Sequence, residues 1–158
     1  MISAKFEVNY SLWKKKMGLY ASRLIPYAST MAERLADVAF AMVKAKTPVT
    51  KGTNIRELWE VEHTKTAAKE QFVVKNLYKN QDVILFMEVG TVPHNIVPVN
   101  CKVLRFFIGG REIHTKRVWH PGTVPHRMVY QAEQYVRPKM DWYTKQVFAQ
   151  ADKINRAR

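Results

Sequence analysis

Carboxylates are what this chain is short of. Across 158 residues only 13 are Asp or Glu against 26 Lys and Arg, which leaves a formal charge of +13. Such an excess says nothing about fold, but it draws polyanions, so nucleic acid or an acidic protein surface is the expected company. The positive charge is spread over the whole length, and no disordered basic tail carries it. A single cysteine, Cys101, permits no internal disulfide. That excludes a cystine-stapled secreted scaffold and fits folding in a reducing cytoplasm. No stretch approaches the ~20 apolar residues of a membrane span. The N-terminal MISAKFEVNYSLWKKK lacks both the apolar run and the small-residue cleavage pattern of a signal peptide. Neither membrane insertion nor export is expected.

The usual seats of chemistry are missing too. There is no GxxxxGK phosphate loop and no GxGxxG turn, so nucleotide chemistry has no visible site. Ser3, Ser11 and Ser22 fall in or near the N-terminal segment, and Cys101 has no recognisable partner motif, which leaves no nucleophile arrangement. Glu60 and Glu62 alternate with Trp59 and Val61 along a predicted strand, the pattern of a solvated face rather than an acid/base pair. Four of the five histidines, His94, His114, His120 and His126, lie close together in the chain without HxH or helical HxxxH spacing and without a companion Cys or carboxylate motif. Rings hydrogen-bonded to backbone in loops and at a subunit contact are the plainer reading. The expectation is a non-enzymatic protein with no metal and no cofactor.

What is present is a core and a pattern. Hydrophobic residues make up 47%, enough for a packed globular chain of this length. Leu24, Ala28, Met31, Leu35, Val38 and Met42 recur at spacings of three and four, which predicts a long amphipathic helix closed by Lys44, Lys46 and Pro48. A shorter helix is expected over Phe6 to Tyr20. Residues 47–53, TPVTKGT, read as a loop. Strands are predicted at Leu58 to Thr64, Phe72 to Leu77, Val83 to Val89, Lys102 to Ile108 and Glu112 to Trp119, with Gly109 and Gly110 turning the last pair into a hairpin. From Val129 through Ala132, Val136, Met140, Tyr143 and Val147 to Ile154 the helical period returns, with Pro138 predicting a kink or two helices. The resulting fold class is α+β: an antiparallel β-sheet packed by a long N-terminal helix region and a C-terminal helix. One domain is expected over 1–158, helical over 1–46, β-rich over 55–119 and helical over 126–156.

One pentapeptide occurs twice. Gly90, Thr91, Val92, Pro93 and His94 read GTVPH, and Gly122, Thr123, Val124, Pro125 and His126 read it again, each expected to follow a strand end. A Gly that frees the backbone and a Pro that fixes it make a stiff loop, and two such loops are expected side by side at a sheet edge. These ten residues, with Trp119, His120 and Pro121, are the candidate contact surface. Lys14, Lys15 and Lys16 beside Trp13, and Lys116 and Arg117 beside Trp119, set cations next to aromatics, as single-strand binders do. No zinc-finger, RNP or KH motif accompanies them. With Lys51 they are candidate contacts for DNA or an acidic surface.

The segments TPVTKGTNIRELW at 47–59, VILFMEVGTVPHNIVP at 83–98 and KVLRFFIGGREIHTKRVWHPGTVPHRMV at 102–129, with a closing helix, resemble the neck or head–tail joining proteins of long-tailed bacteriophages. The likeness covers 47–155. Its most specific parts are MEVGTVPH, which looks like the family's VEFGT element, and the basic strand ending in HPGTVPH. The chain departs in reading PVTKG where the family usually has PVDTG, and His126 and Arg127 stand where PF is common. The resemblance implies a virion protein made in the bacterial cytoplasm. It would assemble with copies of itself into a ring between the portal and adaptor proteins of the head connector and the tail terminator or tail tube, around the genomic double-stranded DNA. Two other readings remain at this stage: a nucleic-acid-binding protein without sequence preference, and the tail terminator ring itself.

Overall fold

The computed structural model describes residues 3–11, 21–49 and 54–156. Among them the chain runs β1 (Ser3–Asn9), α1 (Ala21–Lys46), a 3-10 turn (Ile55–Leu58), β2 (Trp59–Lys65), β3 (Lys69–Asn76), α2 (Gln81–Val89), β4 (His94–Ile96), β5 (Leu104–Ile108), β6 (Arg111–Thr115), β7 (Val118–His120) and α3 (Met128–Arg156). The class is α+β, as the sequence predicts. The strands form three antiparallel sheets rather than one: β1-β3-β2, β4-β7 and β5-β6.

The three-stranded sheet is built on strict alternation in β3. Glu70, Phe72, Val74 and Asn76 face inward and are buried, while Lys69, Gln71, Val73 and Lys75 are half-buried on the other side. Their register partners Val8, Phe6 and Ala4 on β1, and Val61 and Trp59 on β2, extend the same inner face. On the outer face Lys75 pairs with both Glu60 and Glu62 at 3.2 Å, so these two carboxylates line the face away from the core. Helix α1 crosses the inner face. Its buried residues Leu24, Ala28, Met31, Ala32, Leu35, Ala36, Ala39 and Val43 form one stripe, and the four alanines in it let sheet and helix α3 approach closely. Helix α3 adds Met128, Ala132, Val136, Val147 and Ala151 to this core.

Two polar clusters tie the layers together. Buried Glu70 accepts from Tyr10 Oη of the β1 side and from Ser29 Oγ of α1 at 2.6 Å, and lies 2.7 Å from His63 Nε2 of β2. At the far end of α1, Thr47 is fully buried. Its carbonyl accepts two bonds from Arg56, and its hydroxyl accepts from Trp59 Nε1 at 2.8 Å and donates to Val43 O. The carbonyls of Val43 and Thr47 at the end of the helix thereby find partners.

Four expectations need correction. Residues 3–9 are a strand, not the start of a helix, because Ala4, Phe6 and Val8 alternate with Lys5, Glu7 and Asn9 and pair with β3; the remainder of the expected helix, Leu12 to Tyr20, lies outside the described residues. Val83 to Val89 is helical: the Asn80 side chain accepts from the Asp82 N–H as an N-cap, and Ile84 and Met87, three apart, face the core. Helix α3 continues through Pro138 as one element. Pro138 and Gln134 are both exposed there, so the Gln134 carbonyl that loses its N–H partner is open to water. The strand expected over Glu112 to Trp119 breaks at Lys116 and Arg117, which lie between β6 and β7 in different sheets.

Candidate functional site: two interlocked loops

The two GTVPH segments lie against each other. Thr91 N–H donates to Thr123 O at 3.0 Å and Thr123 N–H returns the bond to Thr91 O at 3.1 Å, with the Thr91 hydroxyl accepting a further bond from Thr123 N–H at 2.9 Å. This bridge keeps the antiparallel register of β4 and β7, where His94 faces His120. Pro93 therefore stands opposite Pro121, and the ladder is interrupted there because neither proline has an N–H to give. The paired loops are thus an extension of the β4-β7 ribbon. The first loop follows a helix, α2, and only the second follows a strand.

The glycines make this pairing possible. Gly90 ends α2, donating to Phe86 O at 2.8 Å, with φ 75° and ψ −178°, a region essentially closed to L residues. A Cβ on it would stand 2.5 Å from Thr123 O. Gly122 has φ 89°, and its Cβ would collide with Thr91 O. Each repeat's glycine makes room for the carbonyl of the other repeat's threonine, which explains why both copies begin with glycine.

The base of the pair is anchored by MEV. His126 N–H donates to Met87 O at 2.7 Å and Arg127 N–H to Glu88 O at 3.1 Å. The Glu88 carboxylate accepts from Val129 N–H at 3.0 Å and Tyr130 N–H at 2.9 Å, two first-turn donors of α3 that would otherwise lack partners. A negative charge there also suits the positive end of the helix dipole. Glu88→Ala is expected to cost about 2 kcal/mol and to speed amide exchange at Val129 and Tyr130. Glu88→Gln, which keeps the acceptor and loses the charge, should fall between wild type and Ala; equal exchange rates in all three would show that the cap contributes nothing.

The ribbon aims apolar side chains outward. Val92 is 78%, Val124 80% and Trp119 61% exposed, all on stiff backbone. His94 Nδ1 lies 2.9 Å from Val92 O, and Gly122 N–H donates to His120 Nδ1 at 3.1 Å, so both rings are committed to holding the loops. The two rings sit 5.1 Å apart, centroid to centroid. Pro121, Pro125 and His126 complete the surface. All thirteen candidate contact residues are therefore on one ribbon and its continuation. Lys116 and Arg117 adjoin it at the start of β7, whereas Lys14, Lys15, Lys16 and Lys51 lie outside the described residues.

Nothing in this arrangement brings a nucleophile to a base. Among the described residues no three His, Cys, Asp or Glu side chains are grouped to hold a metal ion. A cleft of about 190 Å³ beside β1 is lined by Phe6, Met31, Leu35, Met140, Tyr143 and Val147, and its charged residues, Lys5 and Glu7, pair with each other at 2.7 Å. No helix of the described residues is long and apolar enough to cross a membrane. The sequence reading missed Glu88, whose partners lie 41 and 42 residues away and leave no local pattern. It also missed Glu70, which its alternation with Phe72 and Val74 marks as inward-facing. The chain matches no protein-family model, no curated protein and no solved structure.

Proposed function

We propose that the chain is a structural subunit of a bacteriophage neck, assembling as a homo-oligomeric ring at the head–tail junction. There it joins or completes the connector and the tail around the DNA channel. The observation that carries this reading is that no residue from Glu88 to Arg127 is buried, although this segment holds Val92, Val97, Val99, Phe107, Ile108, Trp119 and Val124. A two-stranded ribbon is marginal in water by itself. Here two such ribbons carry apolar side chains that find no core in their own chain, which is the expected state of a surface completed by neighbours. Further exposed apolar residues outside the two ribbons, Leu85 and Phe86 of α2 and Trp142 of α3, are material for the second surface that a head-to-tail ring requires. The resemblance of MEVGTVPH and HPGTVPH to the neck family points to the same role.

The chain should be found in purified particles, and electron microscopy should place a ring of it between portal and tail. Suppressing its synthesis should leave heads and tails unjoined. Its absence from particles overturns the reading, whereas a monomer in isolation is compatible with assembly on a partner ring.

A further inference from the structure

The positive charge of the chain is not neutralised evenly. In the body, Lys5 and Lys69 pair with Glu7, Lys44 with Glu57, Lys65 with Glu70, Lys75 with Glu60 and Glu62, and Arg137 with Glu133. Residues 90–127 hold six basic side chains and a single carboxylate, Glu112, which Arg105 and His114 already share. Arg127 lies over the Tyr130 ring. Within this segment that leaves Lys102, Arg111, Lys116 and Arg117 with no carboxylate ion pair; in the body Arg34, Lys46, Lys79, Lys139, Lys145 and Lys153 also have none, but they are scattered over α1, α3 and the turn before α2 rather than gathered at one hairpin.

Their placement is regular. Arg111 opens β6 at the tip of the hairpin, beside the Gly109–Gly110 turn. Leu104 pairs with Thr115, so Lys102, Lys116 and Arg117 all lie just past the other end. The two groups are separated by the five residue steps from Arg111 to Lys116, which at ~3.4 Å per residue is about 17 Å. A two-stranded ribbon enters the major groove of duplex DNA, which is about 12 Å wide. Cations at the two ends of such a ribbon reach phosphates on opposite rims. The hairpin LRFFIGGREIHT has no Asn or Gln to read adenine, and its Arg105 is held by Glu112.

We infer that the β5-β6 hairpin is a phosphate-binding arm for double-stranded DNA, using Lys102, Arg111, Lys116 and Arg117 and reading no sequence. This goes beyond the neck reading, because binding by the chain in solution requires no ring. Four phosphate contacts correspond to a slope of about −3.6 in log affinity against log salt, a loss of about 150-fold between ~50 and ~200 mM.

The test is fluorescence anisotropy of the full chain on a random 30-base-pair duplex across that salt range. Two variants of equal charge are compared: Lys102, Arg111, Lys116 and Arg117 all changed to Gln, and the exposed body residues Arg34, Lys79, Lys145 and Lys153 all changed to Gln. Thermal melts confirm that both fold. The arm variant should lose about 3.6 from the slope while the body variant loses little. Equal losses, no loss in the arm variant, or no DNA binding by the parent chain overturns the inference. So does polyglutamate competing as well as DNA per charge, which would make the partner an acidic protein surface. A chain that binds DNA through the arm and is absent from virions loses the neck reading alone.

Discussion

Gly90→Ala and Gly122→Ala are each expected to lower stability by about 3 kcal/mol, a fall of roughly 10 °C in Tm for a chain of this length. Two independent effects act at each site. Both glycines have positive φ, 75° and 89°, where an L side chain strains the backbone. A Cβ at either would also press on a backbone carbonyl of the opposite loop, Thr123 O or Thr91 O. A flexible side chain could swing aside; a carbonyl that accepts the reciprocal threonine bond cannot move without opening the bridge. Gly109 and Gly110 supply the control, because their φ values of 55° and 79° are equally left-handed while a Cβ there meets nothing within 4 Å. Alanine at those positions should cost only about 1 kcal/mol. Amide exchange at Thr91 and Thr123 should accelerate in the Gly90 and Gly122 variants alone. If all four variants melt together, the loops are not interlocked, and the glycine that begins each copy needs another explanation. In the neck reading the first two variants also fail to enter particles at temperatures where they remain folded, because Val92, Trp119 and Val124 no longer stand on a fixed frame.

The legible parts of the fold were those in which periodicity persisted. Helix α1 was readable because Leu24, Ala28, Met31 and Leu35 repeat over several turns, and the hairpin because Gly109–Gly110 can hardly be anything but a turn between two apolar runs. The apolar run from Val83 to Val89 suits a buried strand and a buried helix equally. Its ends carried the answer, Asn80 as N-cap and Gly90 as the terminating residue, but an apolar interior outweighs two end signals unless they are weighed first. Strand β1 is hard to read for the opposite reason: its alternation is short, and Leu12, Trp13 and Met17 beyond it suggest a helical period that extends back across Asn9. The division into three sheets depends on a break at Lys116 and Arg117, where neither Gly nor Pro gives notice. For the candidate site, the repeat is visible as text, whereas the pairing of its two copies is seen only in the Thr91–Thr123 bridge. Mutual accommodation of glycine and carbonyl was not readable, since it exists only once the loops are paired.

The second large effect concerns Glu70 and acid. Burial alone would raise its carboxyl pKa, but hydrogen bonds from Ser29, Tyr10, His63 and Lys65 outweigh that and lower it from 4.5 to about 2. Its partner Tyr10 moves the other way, to about 12, because burial and the adjacent carboxylate both oppose the phenolate. For the depressed carboxyl, the stabilisation is complete above pH 4.5 and is lost as pH falls toward 2. For the raised phenol, it is complete below pH 10 and is lost as pH rises toward 12. Glu70→Gln is therefore expected to cost about 3 kcal/mol at neutral pH, read as a lower urea midpoint. The difference from wild type should shrink through the acid window and largely vanish near pH 2. Tyr10→Phe should abolish the loss between pH 10 and 12 while leaving most of the acid dependence in place. A constant difference between Glu70→Gln and wild type from pH 7 to pH 2 would mean that the side chain contributes packing and neutral hydrogen bonds, not charge. The consequence reaches the loops through the core. Glu70 joins β1, β2, β3 and α1, and α1 packs along α3, whose first turn is capped by Glu88 at the base of the ribbon. Acid that loosens the sheet should therefore free the ribbon's anchor before the Thr91–Thr123 bridge itself is touched, and amide exchange at Tyr130 should rise at a higher pH than exchange at Thr123.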